Sequence, residues 1–382
     1  MDLRDTPEEA AFRQEVRDFI AQNLPQESRE RGSRRFEDSD REWSRQLGEA
    51  GYAGLTWPKE YGGSSAPYSH QAIYLEELAR AEAPSHLGVI GIGMAGPTIM
   101  ATGTDEQKAR YLSKILTAEE IWCQGFSEPG AGSDLASVRT RIEDKGDHFL
   151  VNGQKVWSSF AHIADYCILV GLGLPDQPRY KNLTYVIADM HAPGVEVRPL
   201  VQITGHAEFN EIFFTDVQVP KENLLGEVGG GWQVAMTTLL HERGTLGFAL
   251  AATLDVAVRK LVALADELNV TDAILRDRIA REWVELQAIR FTNYRSLTTL
   301  TKTGIPGPEG SISKLVWSEN NQRLTKLALE ILGSHAQLTN GGGDGYWQYQ
   351  QLRSRGNTIE AGSSEILRNI VAERVLDMPR SR

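Results

Sequence analysis

The sequence predicts an α+β protein: an N-terminal helical domain, a middle antiparallel β-barrel or sandwich, and a C-terminal four-helix bundle. Three observations carry this. Apolar residues recur at helical spacing from residue 6 to about 117; the period shortens to that of strands between about 120 and 222; long amphipathic patterns return from about 229 onward. The expected boundaries are 1–119, 120–225 and 226–382. The chain has 382 residues, enough for two or three domains.

Thr6-Pro7-Glu8-Glu9 is a capping box with proline at the first helical position, and Phe12, Val16, Phe19 and Ile20 continue it as one apolar stripe. Trp43, Leu47 and Ala50 mark a second helix ending at Gly51; Ala72, Leu75, Ala79 and Ala83 mark a third, ending before Pro84. Thr104-Asp105-Glu106-Gln107 opens a further capped helix. In the middle zone, Asp144–Asp147 reads as a turn and Asn152-Gly153 as a two-residue hairpin. Tyr166–Val170, Leu183–Ile187, Val195–Val197 and Ile212–Val219 supply further short strands. The bundle is expected from Val234–Ala265, Ala273–Leu300, Ile312–Leu332 and Glu365–Val375, with Gly341–Gly345 as a loop before the last helix.

Composition removes several function classes. Hydrophobic residues at 41% and charged residues at 24% exclude a disordered chain. Fifty-one acidic against 40 basic residues give a net charge of −11, which opposes duplex nucleic-acid binding. Cys123 and Cys167, the only cysteines, form no disulfide framework or thiolate metal site. The acidic start resembles no signal peptide, and the uncharged stretch Leu87–Thr104 carries five glycines and Pro97, so it reads as a buried helix rather than a membrane span. A soluble cytoplasmic protein is the expectation.

Two motifs mislead. Gly91-Ile92-Gly93-Met94-Ala95-Gly96 fits a dinucleotide fingerprint but lies within a helical pattern, so packing is the better reading. Ser311-Ile312-Ser313-Lys314 matches S-x-x-K without the companion motifs in order. No histidine spacing supports a metal site.

Two segments of the β zone carry special residues. The turn Gln124–Asp134 is rich in small residues and bears two hydroxyls. It would let polyphosphate approach backbone N–H groups, or it is an ordinary barrel loop, and composition alone leaves the two readings even. Asn152–Ser159 ends on Trp157 flanked by hydroxyls, which suits a flat cofactor or plain core packing.

Together with the α–β–α order, the runs Ser127-Glu128-Pro129-Gly130-Ala131-Gly132-Ser133-Asp134, Asn152-Gly153-Gln154-Lys155-Val156-Trp157 and Gly362-Ser363-Ser364-Glu365-Ile366-Leu367-Arg368-Asn369 resemble the acyl-CoA dehydrogenase family over essentially the whole chain. The resemblance implies FAD as cofactor, an acyl-CoA thioester as substrate and an electron-transfer flavoprotein as acceptor. It implies a tetramer, and membership of a subgroup with its catalytic glutamate on the first long helix of the C-terminal bundle. The cofactor would be held by Gln124, Phe126, Ser127, Gly132, Ser133, Trp157, Ser158, Ser159, Ser363 and Glu365, with Ser127 on the flavin ring, Ser133 near the pyrophosphate, Trp157 on the isoalloxazine and Ser159 at N5. The reaction so implied removes the substrate's α-proton to a carboxylate while hydride leaves the β-carbon for flavin N5.

The base is where the chain departs from the family. Many members carry it in a Tyr-Glu-Gly-Thr run, which here reads Glu360-Ala361-Gly362-Ser363, and alanine accepts no proton. Glu242, beside Arg243, matches the alternative position in the subgroup. From His241-Glu242-Arg243 alone a solvated ion pair would be the reading; the vacancy at Ala361 reverses it. Glu360 is a third candidate, and the Ala361 backbone N–H remains an implied donor to the thioester oxygen. The family's Arg-x-x-Phe-Gly is missing from Leu268–Leu275, and its glycine-rich run reads Glu330-Ile331-Leu332-Gly333-Ser334-His335-Ala336. Both changes weaken an adenine site shared across subunits and suggest a non-identical partner, a heterotetramer in place of a homotetramer. An oxygen-using flavoenzyme and a non-catalytic or half-site partner subunit are the alternatives.

Overall fold

A computed structural model describes residues 4–26, 39–241, 246–304, 307–338 and 345–380. Chain contacts group the protein into two compact units, Asn23–Ala66 with Pro84–Glu242, and Met1–Gln22 with Pro67–Ala83 and Arg243–Arg382, so both contain residues of the N-terminal helical zone.

The first unit is built on a seven-stranded sheet: β1 (Trp122–Gly125), β2 (Arg141–Asp144), β3 (His148–Ser159), β4 (Tyr166–Leu172), β5 (Leu183–Asp189), β6 (Val195–Leu200) and β7 (Phe209–Pro220). The order is β1-β4-β2-β3-β7-β6, and β5 pairs with β4. One edge of β4 takes β5 antiparallel from Tyr166↔Asp189 to Leu172↔Leu183. The other takes β1 parallel and, further along, β2 at Arg141↔Leu172. The sheet is therefore mixed, whereas the sequence predicts a wholly antiparallel one. Two reversals separate β2 from β4, which restores the original direction.

Asn152-Gly153 is not a hairpin. Strand β3 runs through it, and the reversal falls at Asp144–His148, where Lys145 N donates to His148 O at 2.9 Å and Gly146 N to Asp144 Oδ1 at 2.8 Å. Gly153 instead occupies a bulge against β7, where a Cβ would stand 2.5 Å from Thr140 Oγ1. Asn152 clips the facing strand, donating to Asp216 Oδ1 and accepting from Asp216 N at 2.9 Å. The dipeptide that favours tight turns here serves a close backbone approach.

Helices Ser39–Glu49, Gly96–Thr102, Asp105–Leu116 and Gly231–His241 belong to this unit. Thr104 and Gln107 form the expected capping box. The Gly91–Gly96 motif forms a π-helical turn running into Gly96–Thr102, and a Cβ on Gly96 would lie 2.1 Å from the Trp57 ring. Gly96 seats a tryptophan, and Gly91 lies against Ile115, where a Cβ would stand 2.8 Å from its Cγ2. Helix Gly231–His241 is fixed through Thr238 Oγ1, which hydrogen-bonds Thr98 Oγ1 at 2.8 Å and Tyr185 OH at 3.0 Å.

The second unit holds most of Pro7–Asn23, with Tyr68–Arg80, Leu246–Glu267, Ala273–Thr303, Gly310–Leu332, Tyr346–Asn357 and Ser364–Arg374. The pattern expected over Val234–Ala265 falls on the described helices Gly231–His241 and Leu246–Glu267, and residues 242–245 between them lie outside the described residues. Thr6 and Glu9 close their capping box, and Arg13 reaches Glu76 at 2.9 Å and Glu77 at 2.6 Å. Leu254, Leu261, Leu286, Ile289, Leu324, Leu327 and Trp347 form the core. Helix Tyr346–Asn357 is an addition to the expected four; two of its three buried residues, Ser354 and Asn357, are polar, so no apolar stripe announces it. Most of the Gly341–Gly345 loop lies outside the described residues.

Glu282 is buried in this bundle with its nearest cation, Arg323 Nε, 3.8 Å away. Burial pushes its pKa up to about 7, opposed by Arg323 and reinforced by Glu285. The folded carboxyl keeps its proton to about pH 7, whereas an unfolded one releases it near about 4.3. Between those values the folded state binds more protons, so stability falls as pH rises through the window. Glu282→Gln should raise the melting temperature at pH 8 by a few degrees and flatten its dependence between these pH values, as thermal denaturation monitored by circular dichroism would show.

Candidate functional site

The Gln124–Asp134 loop is shaped by a buried ion pair. Lys155, fully buried on β3, donates from Nζ to Phe126 O at 2.9 Å and Glu128 Oε1 at 2.8 Å. The Glu128 carboxylate also accepts from Arg139 N at 2.7 Å and Thr140 N at 2.8 Å. Burial pulls Lys155 down to about 8 against the pull of Glu128, which leaves it an ammonium at neutral pH. Burial acts upward on Glu128, but the Lys155 charge and the hydrogen bonds outweigh it and hold the carboxyl below its usual range. Reciprocal backbone bonds between Glu128 and Ala131 close the turn over Pro129-Gly130, and Val156 N donates to Ser127 O at 2.9 Å. Loop and strand end are thereby one rigid piece.

Beyond Lys155 the register of β3 against β7 shifts, and Trp157 takes a φ of +62°. That conformation is costly for a bulky residue and persists only where the surroundings impose it. Its effect is to hold Trp157 60% exposed, edge-on to Phe209 at 6.2 Å. Ser159 is half-buried. Ser158 turns inward, 1% exposed, with an unpartnered Oγ. Strand alternation sends the Trp157 and Ser158 side chains to opposite faces, which leaves the backbone of Ser158 as its means of meeting a cofactor beside Trp157. Gln124 and Ser127 are half-buried and Ser133 is exposed; with Ser159, their side chains make no hydrogen bond among the described residues. Gly132 is exposed, and a Cβ there would meet nothing within 4 Å. The Phe126 side chain is core, edge-on to Tyr185 at 5.8 Å, so a cofactor contact there would be through its backbone.

The other unit holds the second group. Ala361 has a φ of +51°, and its N–H meets no acceptor among the described residues. The turn is gripped by Lys314, whose Nζ donates to Asn357 O at 2.7 Å and Gly362 O at 2.8 Å. The lysine of the misleading S-x-x-K motif is thus an anchor. Ser363 caps helix Ser364–Arg374 by accepting from Ile366 N, and Glu365 sits exposed in its first turn. Glu360 is committed: Arg353 holds both its oxygens at 3.1 and 3.0 Å, and Asn357 Nδ2 donates to it at 2.8 Å. Glu242 and Arg243 lie outside the described residues.

Family models for acyl-CoA dehydrogenases match the chain in three parts: the N-terminal domain over residues 6–119, the middle domain over 123–217 and the C-terminal domain over 229–376. The chain belongs to the acyl-CoA dehydrogenase family and is an oxidoreductase of that class. Among its relatives, acyl-CoA dehydrogenase IpdE1 of Mycobacterium tuberculosis (strain ATCC 25618 / H37Rv) is 40% identical, with 97% of each chain covered. Glutaryl-CoA dehydrogenase of Desulfococcus multivorans is 31% identical over 77% of this chain and 79% of its own. Among solved structures, the Tcur3481-Tcur3483 steroid ACAD matches with a TM-score of 0.91 at 31% identity over all of both chains. The ChsE4-ChsE5 complex from Mycobacterium tuberculosis matches at 0.88 and 29%, again over all of both chains. No described helix is long and apolar enough to cross a membrane.

Lys155, which fixes the loop, carries no functional signal in the sequence beyond its place in the Asn152–Trp157 run. Removing one partner of a buried pair typically costs about 3–5 kcal/mol, because the other charge is stranded. Lys155→Met should therefore lower stability by that order in urea denaturation, and Lys155→Met with Glu128→Gln should recover a substantial part of the loss.

Proposed function

We propose that this chain catalyses FAD-dependent α,β-dehydrogenation of an acyl-CoA thioester and passes the electrons to an electron-transfer flavoprotein. The observation that carries this is the array of uncommitted polar side chains, Gln124, Ser127, Ser133 and Ser159, on the rigid piece that presents Trp157. Such an array fits a flat, hydrogen-bonding ring system with a phosphate tail. Bound FAD would supply the two-electron acceptor for hydride leaving the β-carbon. Ser127 and Ser159 would orient the ring, Ser133 and the open backbone at Gly132 would face the pyrophosphate, and Trp157 would exclude water. Ser363 and Glu365 belong to the same reading as cofactor contacts.

Glu242 is the proposed base, with Arg243 as its electrostatic neighbour. Ala361 has no carboxylate, and Glu360 already spends both its oxygens on Arg353 and Asn357, which favours residue 242. The Ala361 N–H, with no acceptor among the described residues, is the proposed donor to the thioester oxygen, where enolate charge develops as the α-proton leaves. The functional division at 1–119, 120–225 and 226–382 belongs to the same reading, with support from the family-model bounds. A bulky, ring-bearing acyl group and a non-identical partner chain are the favoured finer assignments. They are supported by the likeness to a steroid ACAD and to a two-protein complex, and by the missing Arg-x-x-Phe-Gly segment. A cytoplasmic location is part of the proposal.

Glu242→Gln should leave FAD bound yet abolish anaerobic bleaching of the flavin by substrate, while Glu360→Gln should be mild; the reverse would move the base to Glu360. Bleaching in neither the wild-type chain nor its assembly would favour the non-catalytic subunit. Purified alone, the chain should hold less than one flavin per subunit by absorbance, whereas full occupancy would refute the partner.

A further inference from the structure

Strand β7 buries Asn210, Ile212, Phe214, Val217 and Val219, and among these only Asn210 is polar. Asparagine fits a strand poorly, and a buried amide costs free energy unless it is hydrogen-bonded, so packing alone would favour an apolar residue there. Asn210 stands opposite Ser158 in the β3–β7 register, and Phe209 opposite Ser159. From that position its Nδ2 reaches Ser158 O at 3.1 Å, His162 Nδ1 at 3.2 Å and Glu208 O at 3.3 Å. The two protons of the amide NH2 are shared among three acceptors, while Oδ1 has no partner among the described residues. Burial, opposed by the Glu208 charge, holds His162 below its ordinary pKa. The ring is therefore neutral at neutral pH and can accept at Nδ1.

These three acceptors bracket the end of β3. Trp157 and Phe160 both combine a bulky side chain with a left-handed backbone, at φ of +62° and +61°. Backbone of this kind persists only where its surroundings hold it. Ser158 and Ser159 lie between the two, and Asn210 binds Ser158 O directly. Glu208 O, its second carbonyl, also takes the Phe160 N–H at 3.0 Å, and His162 sits in the single turn Ala161–Ile163 that follows. One amide thus grips the arc before Ser159, after it and in the next turn. The Ser159 side chain makes no hydrogen bond among the described residues, so the direction of its hydroxyl follows from how the flanking main chain is held.

We propose that Asn210 is a positioning residue for the flavin: through Ser158 O, Glu208 O and His162 it sets the Trp157–Phe160 arc, and so the place of Ser159 against the ring. This role rests on the FAD reading of the strand end and adds to it a residue that acts only through its neighbours. A hydroxyl held as a donor at N5 favours the gain of electrons by the ring. Displacing Ser159 should therefore lower the flavin's reduction potential, whereas a purely structural Asn210 would affect stability alone.

The test compares Asn210→Leu, which lacks the donors, with wild type in the FAD-loaded assembly as purified. Two quantities are read: deuterium uptake by the backbone amides of residues 157–163, and the flavin midpoint potential from anaerobic dithionite titration against a reference dye. Asn223→Ala is the control, since Asn223 is buried in the same unit and donates to Ile187 O at 3.0 Å while accepting from Tyr111 OH at 3.0 Å. Asn210→Leu should speed exchange across the arc by about tenfold, the scale of one lost hydrogen bond, and should lower the potential. His162→Leu should do the same in part and His162→Gln, which keeps an acceptor, should restore wild-type values; this pair decides if Asn210→Leu does not fold. Asn223→Ala should lose thermal stability and move neither quantity. Unaltered exchange in the arc, faster exchange with an unaltered potential, or an equal effect of Asn223→Ala would overturn the proposal. A wild-type assembly that takes up no FAD would contradict the cofactor reading, and the proposal with it. No turnover is involved, so a failure of thioesters to bleach the flavin would count against the dehydrogenase reading separately.

Discussion

A buried ammonium–carboxylate contact governs the cofactor-facing end proposed for the β unit. Lys155 and Glu128 come from different segments, yet their pairing also gathers the Phe126 carbonyl and the backbone N–H groups of Arg139 and Thr140. Placing a full charge in the interior is expensive, and the geometry offsets it by leaving few of its donors and acceptors idle. The consequence of that contact is positional. With the loop pinned, the hydroxyls of Ser127 and Ser133 and the ring of Trp157 are held without spending their own hydrogen-bonding capacity on the fold. A site that must meet a large polar cofactor needs this division of labour.

The same division recurs around Ala361. Lys314, 4% exposed, holds the carbonyls of Asn357 and Gly362, and Arg353 with Asn357 occupies Glu360. Ala361 keeps its left-handed conformation in a turn held by these contacts, and its N–H meets no acceptor among the described residues. In both places a buried lysine converts a flexible, small-residue segment into a presenting surface. Neither lysine stands out as functional by residue type.

Legibility in the sequence depends on whether the signal is local. The capping boxes at Thr6 and Thr104, the helices they open and the strands around Val170 and Val219 come from local spacing, and the structure has them. The Gly91–Gly96 run reads correctly as packing, since its setting is already helical. Asn152-Gly153 misleads because the property that favours a tight turn also serves a bulge, and only Thr140, on a separate segment of the chain, decides between them. Parallel pairing of β1 with β4 is a long-range outcome that periodicity does not encode. Helix Tyr346–Asn357 escapes the sequence pattern because its buried side is largely polar. At the site, Trp157, Ser127 and Ser133 stand in family motifs. The Ser158 side chain, by contrast, faces inward through a strand alternation that the motif does not display.

The most direct measurement is FAD binding by Lys155→Met/Glu128→Gln, taken in whatever assembly the chain is purified in and followed by visible flavin absorbance and tryptophan fluorescence. If the Lys155–Glu128 contact sets the cofactor site, the variant is folded, matched to wild type in far-ultraviolet circular dichroism, and has lost most of its flavin affinity and the quenching that accompanies it. A folded variant that takes up FAD as tightly as wild type would show that the loop's fastening does not set that site.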